Sequence, residues 1–368
     1  MIAWYFLLGA LALLVTVMLL GFVGCSAFSA APDPGDGGNG GGTGPGGGTP
    51  PPPDYGPYGN KIMGTNDLVA YWRLGDPAAS PVLKASDPIP AGAVKPAKDL
   101  KGGFDGYYFK LDPVTTADLV RHSGLTGGAA IPGVTPGLLE ANNQDNLACF
   151  QVDGGFVQVP WDNHLNPQAF TLEAWVFPDP GLNTKYYYCL VESTGPTGLG
   201  TRKTGWGLYL GPDPGNPGHL VWQVWMPFSN KVNQVAVGKY DFIKDASSNP
   251  VSQLSLTYLA LTFDGSKNLQ LFVYFPLLEM DLDLLETPYL NILIPNFTFQ
   301  PNNPTPDGQG DFFIGAGSNL FPLFGAPPHR LYPFKGRIQE VALYKSDLSA
   351  NAGAQTILAS HFLAGGNM

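Results

Sequence analysis

The sequence predicts an all-β fold: a two-sheet antiparallel β-sandwich with loop insertions, preceded by an N-terminal apolar helix and a disordered linker. Three observations lead there. Glycine (48) and proline (36) are abundant among the 368 residues, while charged residues make up only 13%. That balance suits short strands, turns and a low-complexity segment better than a helical enzyme. From about Asp67 onward, apolar and polar residues alternate with a period of two in short runs rich in aromatic and β-branched side chains, bounded by Gly, Pro, Asn and Asp. These runs follow one another without alternating helical patterns, which implies sheets packed face to face.

Residues 1–25 read as a signal peptide or membrane anchor. Ile2 to Val23 contain no charged residue, and about 20 apolar residues let a helix cross a hydrocarbon core of about 30 Å. The run ends in Phe22-Val23-Gly24-Cys25, which resembles the cleavage box of bacterial lipoprotein signals. That resemblance implies cleavage before Cys25 and lipid attachment to its thiol. Phe22 stands where Leu is usual and no Lys or Arg precedes the run, so an uncleaved single span is the alternative reading. Both readings tether the chain to a membrane and place the folded domain outside the cytoplasm, at the cell envelope or surface.

Residues 26–62 read as a Gly/Pro-rich disordered linker. The stretch GDGGNGGGTGPGGGTPPPP has almost no aliphatic residue to bury, so it cannot offset its own conformational entropy. Its glycines are a flexible coil and Pro50 to Pro53 favour stiffer polyproline II. Those glycines lack the preceding strand and following helix that a phosphate cradle needs. The folded domain is assigned to residues 63–368.

Within it, Thr171 to Val176, Leu220 to Trp225 and Leu269 to Tyr274 read as strands. In the last strand-like run, Ile338, Glu340, Ala342 and Tyr344 share one face by alternation, and Arg337, Gln339, Val341 and Leu343 the other. Asn351 to Leu363 is expected to form one short helix. In chain order, Leu68 to Leu74, Ala97 to Gly106, Phe150 to Val157, Phe170 to Val176, Leu259 to Ser266, Phe313 to Ala316 and Phe334 to Tyr344 resemble the signature segments of laminin-G-like domains. These are concanavalin A-like jelly rolls, a fold shared by lectins and glucanases. The chain departs from the pattern at Gln339, where Asp is favoured, and at Tyr274-Phe275, where an Asn-Gly turn is usual. It is also longer than the family's usual span, which implies insertions at Lys110 to Gln144, Gly211 to Leu254 and Leu277 to Phe312. Binding tends to sit in such loops.

A net charge of −10 with no Lys/Arg cluster argues against a nucleic-acid partner, which needs a basic stripe. The resemblance implies a non-catalytic recognition module that binds glycan or protein through its loops. A structural envelope or filament component is a further reading. A divergent glycoside hydrolase of the same fold is the enzymatic alternative, and Glu279, Asp281 and Asp283 would share one strand face. Asp in the last place is too short for the acid/base role, and the segment falls on a return strand rather than the catalytic one. The five histidines are scattered, and no nucleophile elbow or dinucleotide fingerprint is present.

Related domains often hold a structural Ca²⁺, which implies Asp99 and Asp105 as candidate ligands; as turn formers they need no ion. With Cys25 lipidated, Cys149 and Cys189 remain as a pair, readable as a disulfide or as separate buried thiols. Trp206, Trp222 and Trp225 suit a sugar-stacking platform or an inward core.

Overall fold

The computed structural model describes residues 53–85, 87–111, 129–139, 148–196, 203–213, 217–228, 231–237, 256–274, 276, 290–293, 299, 301–302, 310–318, 330–349 and 354–366. The N-terminal apolar run, Cys25 and the carboxylates at 279, 281 and 283 lie outside them. Among the described residues, no helix is long and apolar enough to cross a membrane.

Helix α1 (Gly56–Gly64) leads into β1 (Leu68–Trp72), β2 (Val82–Lys84), β3 (Tyr107–Lys110), β4 (Ala129–Val134), β5 (Cys149–Asp153) and β6 (Gly155–Val159). Then come β7 (Phe170–Pro178), β8 (Tyr188–Pro196), β9 (Lys203–Pro212), β10 (Leu220–Phe228), β11 (Lys231–Val237) and β12 (Thr257–Phe263). The chain continues through β13 (Asn268–Tyr274), β14 (Leu290–Leu293), β15 (Phe312–Ile314), β16 (Gly317–Ser318), β17 (Arg330–Leu331), β18 (Lys335–Tyr344) and helix α2 (Ala354–Gly366).

The strands form the expected two-sheet β-sandwich. The first sheet runs β14-β13-β12-β7-β18-β5-β4, with β1 also paired to β18; the second runs β11-β10-β9-β8-β15-β6-β3-β2. Among the described strands, the pairings are antiparallel except that of β2 with β3. Alternation explains the layering. Along β7, Leu172, Ala174 and Val176 join the core between the sheets, while Trp175 points to the opposite side. Phe170 of the first sheet stacks on Trp206 of the second, with ring centroids 4.7 Å apart.

The outer face of the first sheet is aromatic and is covered by both helices. Trp175, Tyr258, Tyr274 and Tyr344 pack with Tyr58 and Ile62 of α1 and with Leu358 and Phe362 of α2. Phe362 stacks on Trp175 at 5.8 Å. Gly365 makes that approach feasible, because a Cβ there would stand 2.7 Å from Trp175 Cζ2.

Two expectations need correction. The linker assigned to 26–62 gives way earlier to folded chain: α1 is helical, its Tyr58 and Ile62 are fully buried, and the compact unit begins at Pro53. Asp54 accepts from Gly56 N (3.0 Å) and Asn60 Nδ2 (2.7 Å), which closes the start of α1. In β18 the simple alternation breaks at a bulge between Gln339 and Ala342. Gln339 and Glu340 both leave the sandwich core, Ile338, Val341 and Leu343 enter it, and Ala342 and Tyr344 face the helices. A bulge adds one residue and so shifts the phase of everything after it.

Candidate functional site

The outer face of the second sheet carries a cluster of aromatic and polar side chains on β8, β9 and β10. Strand pairing sets Cys189 opposite Tyr209, Glu192 opposite Gly207, Tyr209 opposite Gln223 and Gly207 opposite Trp225. Gly207 leaves room for the Tyr209 ring, whose Cε2 would lie 2.6 Å from a Cβ placed there. Trp225 stacks on Tyr209 with centroids 4.9 Å apart, and Tyr187 meets Trp225 edge-on at 5.3 Å. Tyr332 closes the cluster edge-on to Tyr209 (6.0 Å) and Tyr187 (5.9 Å). Its backbone sits at φ +56°, and its carbonyl accepts from Cys189 N at 2.6 Å.

Tyr209 and Tyr332 are buried, whereas Trp225 and Tyr187 are half-buried and keep ring surface open to solvent. Trp225 Nε1 donates to Gln223 Oε1 (3.2 Å), and Gln223 Nε2 donates to Pro212 O (2.8 Å). Beneath the rings, the fully buried Glu192 carboxylate accepts from the hydroxyls of Tyr209 and Thr194. Burial pushes the Tyr209 hydroxyl well above its ordinary range, reinforced by Cys189 and the Glu192 carboxylate beside it. Burial, with Glu192 and Tyr187 adding, pushes Tyr332 up to about 12. Gly317 closes over Glu192: a Cβ there would stand 2.5 Å from both Glu192 Oε2 and Tyr209 Oη. Glu192 is thus enclosed and organises the aromatic cluster. The open rings offer flat apolar surface beside polar edges, which suits stacking on sugar or aliphatic groups.

The structure sorts the three tryptophans. Trp206 and Trp222 belong to the core, and Trp225 belongs to this face. Trp222 and Trp225 are three residues apart, so alternation places them on opposite sides of β10.

Asp99 and Asp105 organise the loop between β2 and β3, and their oxygens are occupied by protein donors. Asp99 Oδ1 accepts from Tyr71 N (2.7 Å) and Lys101 N (2.9 Å), and Oδ2 from Gly102 N (2.7 Å) and Phe104 N (2.9 Å). Asp105 accepts from Asp99 N (2.9 Å) and from the Lys98 ammonium (2.6 Å). A Ca²⁺ ion would have to displace these donors, and an ammonium already holds one carboxylate, so the arrangement fits turn formers rather than calcium ligands. Among the described residues, no group of three or more His, Cys, Asp or Glu is placed to hold a metal.

Of the two readings left open for the remaining cysteines, the structure has the second. Cys149 and Cys189 are two separate buried thiols. Phe150 and Val152 fill the core, so Cys149 faces outward from the first sheet, while Cys189 lies on the outer face of the second. Packed sheets are about 10 Å apart, and a disulfide needs Cα atoms within about 7 Å. Cys149 Sγ lies 3.5 Å from Val134 O. Burial pushes its thiol up to about 11, against the opposing pull of Arg337.

No protein-family model and no curated protein sequence matches the chain. Among solved structures it is similar to the binding domain of botulinum neurotoxin DC in complex with SialylT, at 8% identity and TM-score 0.38, covering 79% of this chain and 52% of that one. It is similar to the binding domain of Paraclostridial Mosquitocidal Protein 1, at 14% identity and TM-score 0.40, covering 81% and 53%. It is also similar to Trypanosoma rangeli sialidase, at 15% identity and TM-score 0.41, covering 81% of this chain and 33% of the enzyme. The chain thus spans about half the length of the toxin domains.

Alkylation of the native chain should leave Cys149 and Cys189 unmodified, since the reactive species is the thiolate and both groups are buried. After denaturation without reductant, both should react. Reaction that also requires reductant would establish a disulfide and contradict this placement.

Proposed function

We propose that this chain is a membrane-tethered, non-catalytic recognition domain of the laminin-G-like type, displayed outside the cytoplasm and binding glycan through the Trp225–Tyr187 face. The observation that carries this reading is the aromatic cluster itself. Two half-open rings are held rigid by Tyr209 and Tyr332, with Gln223 polar at their edge. Rigid aromatics lose little entropy on binding, and each offers a flat face to a sugar ring. The chemistry beneath the rings supports recognition over hydrolysis. Glycoside cleavage needs two carboxylates facing the scissile bond across about 5–10 Å, whereas Glu192 is shut beneath Gly317 and hydrogen-bonded by Tyr209 and Thr194. The tether is supported by the uncharged run from Ile2 to Val23 and by the Gly/Pro-rich stretch that follows it.

Screening against glycans and cell-wall polymers tests the reading. Trp225→Ala and Tyr187→Ala should each weaken binding of any hit about three- to tenfold, with thermal stability changed little and EDTA without effect. Binding that is lost on chelation, or that ignores both substitutions, would move recognition elsewhere on the domain. Intact mass of the membrane-extracted protein tests the anchor. A chain starting at Cys25 and carrying acyl groups supports the lipidated form, and a full-length chain supports the uncleaved span. A chain recovered wholly in the soluble fraction would refute tethering.

A further inference from the structure

Trp225 and Tyr187 are the half-open rings of the aromatic face on the second sheet, and the angle between them limits what can lie on both. Their planes stand at 76° with centroids 5.3 Å apart. Each ring is held at that angle by its neighbours. Trp225 stacks on Tyr209 at 29° from parallel, so Tyr209 covers one of its faces and a ligand can stack only on the other. Tyr187 is seated over Gly211, where a Cβ would stand 2.4 Å from Tyr187 Cδ1. Tyr332 meets Tyr187 from a further side at 83°. Neither half-open ring can turn into the plane of the other without giving up these contacts.

This geometry sets how many sugar residues the face can hold. An aromatic ring gains most from a sugar when the two rings lie parallel and in van der Waals contact. Successive residues of an extended polysaccharide present nearly parallel faces, so a site for a run of them needs aromatic rings that are nearly coplanar. Rings at 76° cannot both lie parallel to such a chain. With centroids only 5.3 Å apart, both are within reach of the same pyranose. Its face then lies on one ring while its rim abuts the other.

The polar groups around the corner are already engaged by the protein. The buried Gln223 amide accepts from Trp225 Nε1 at 3.2 Å and donates to Pro212 O at 2.8 Å. The Glu192 carboxylate is enclosed and holds the hydroxyls of Tyr209 and Thr194. These groups fix the rings, so recognition rests on the C–H face of a sugar more than on its pattern of hydroxyls.

Building on the proposal that this face binds glycan, we infer that the Trp225–Tyr187 corner is a subsite for one pyranose residue, touched by both rings at once, rather than a platform for a run of polymer.

Titration of the full chain with sugars of increasing length tests the subsite. The probes are the methyl pyranosides of glucose, galactose, mannose and N-acetylglucosamine, and the linear oligomers of each, followed by ligand-observed NMR. Affinity should grow no faster than the number of residues offered, because each residue is only one more chance to fill the same corner. Trp225→Ala and Tyr187→Ala should each weaken binding of the methyl pyranoside itself about three- to tenfold, since one sugar touches both rings. Two separate stacking positions would instead leave that small probe a ring to use in either variant, with little loss. The comparison of monomer with oligomer is made on the unsubstituted chain and does not depend on either variant folding. Affinity that climbs about three- to tenfold with the second residue would overturn the one-residue subsite and leave glycan binding standing. A substitution that weakens the oligomers but spares the methyl pyranoside would do the same. No binding of any probe, or binding that neither substitution touches, would remove the glycan reading of this face and the subsite with it.

Discussion

The bulge in β18 is the constraint on which the rest of the sandwich depends. β18 pairs with β5, β7 and β1, so its phase decides what the middle of the first sheet shows to each side. Glu340 takes a left-handed backbone at φ +58°, unusual for a residue other than glycine, and its N–H donates to Arg73 O at 3.2 Å. Its fully buried carboxylate accepts from the Tyr71 hydroxyl and from Arg73 Nε and Nη2 at 3.2 Å. A buried carboxylate without such partners would be very costly. Here Tyr71 comes from β1, the strand that pairs beyond the bulge, and Arg73 directly follows that strand. The clamp thus fixes the extra residue and, with it, the facing of every side chain up to Tyr344.

The two sheets present unlike outer surfaces. On the first sheet, Tyr344 and Ala342 join Trp175, Tyr258 and Tyr274 in an aromatic floor that α1 and α2 cover. On the second, Cys189, Tyr209 and Tyr332 are buried with Trp225 and Tyr187 packed at their margin. Both surfaces pack tyrosines around an enclosed glutamate, Glu173 in one and Glu192 in the other. Burial and the nearby charge together hold those tyrosine protons in place.

Much of this was legible in the chain, and the failures have physical causes. Short runs rich in aromatic and β-branched residues gave β7, β12 and β13 as strands. Which way their side chains face was not readable, because these strands are buried on both sides and carry apolar residues on both. The C-terminal helix fell close to its expected place. β18 misled because nothing marks a bulge at Glu340, where glycine or asparagine would have announced a left-handed residue. α1 was hidden by its own composition: Gly56, Pro57 and Gly59 read as linker, and the helix is held by burial of Tyr58 and Ile62 rather than by propensity. The facing of Trp225 was written in its odd spacing from Trp222. The cysteine count carried no such information, since pairing depends on which sheet each thiol lies in.

A double-mutant cycle on Arg73→Met and Glu340→Gln, read by urea unfolding, tests the clamp most directly. Each substitution strands one buried charge and should cost about 3–5 kcal/mol. The double variant should cost less than the sum by about 1 kcal/mol or more, the signature of residues that act together. Purely additive losses, or single variants within about 0.5 kcal/mol of the parent, would contradict the claim that this pair sets the phase of the sheet.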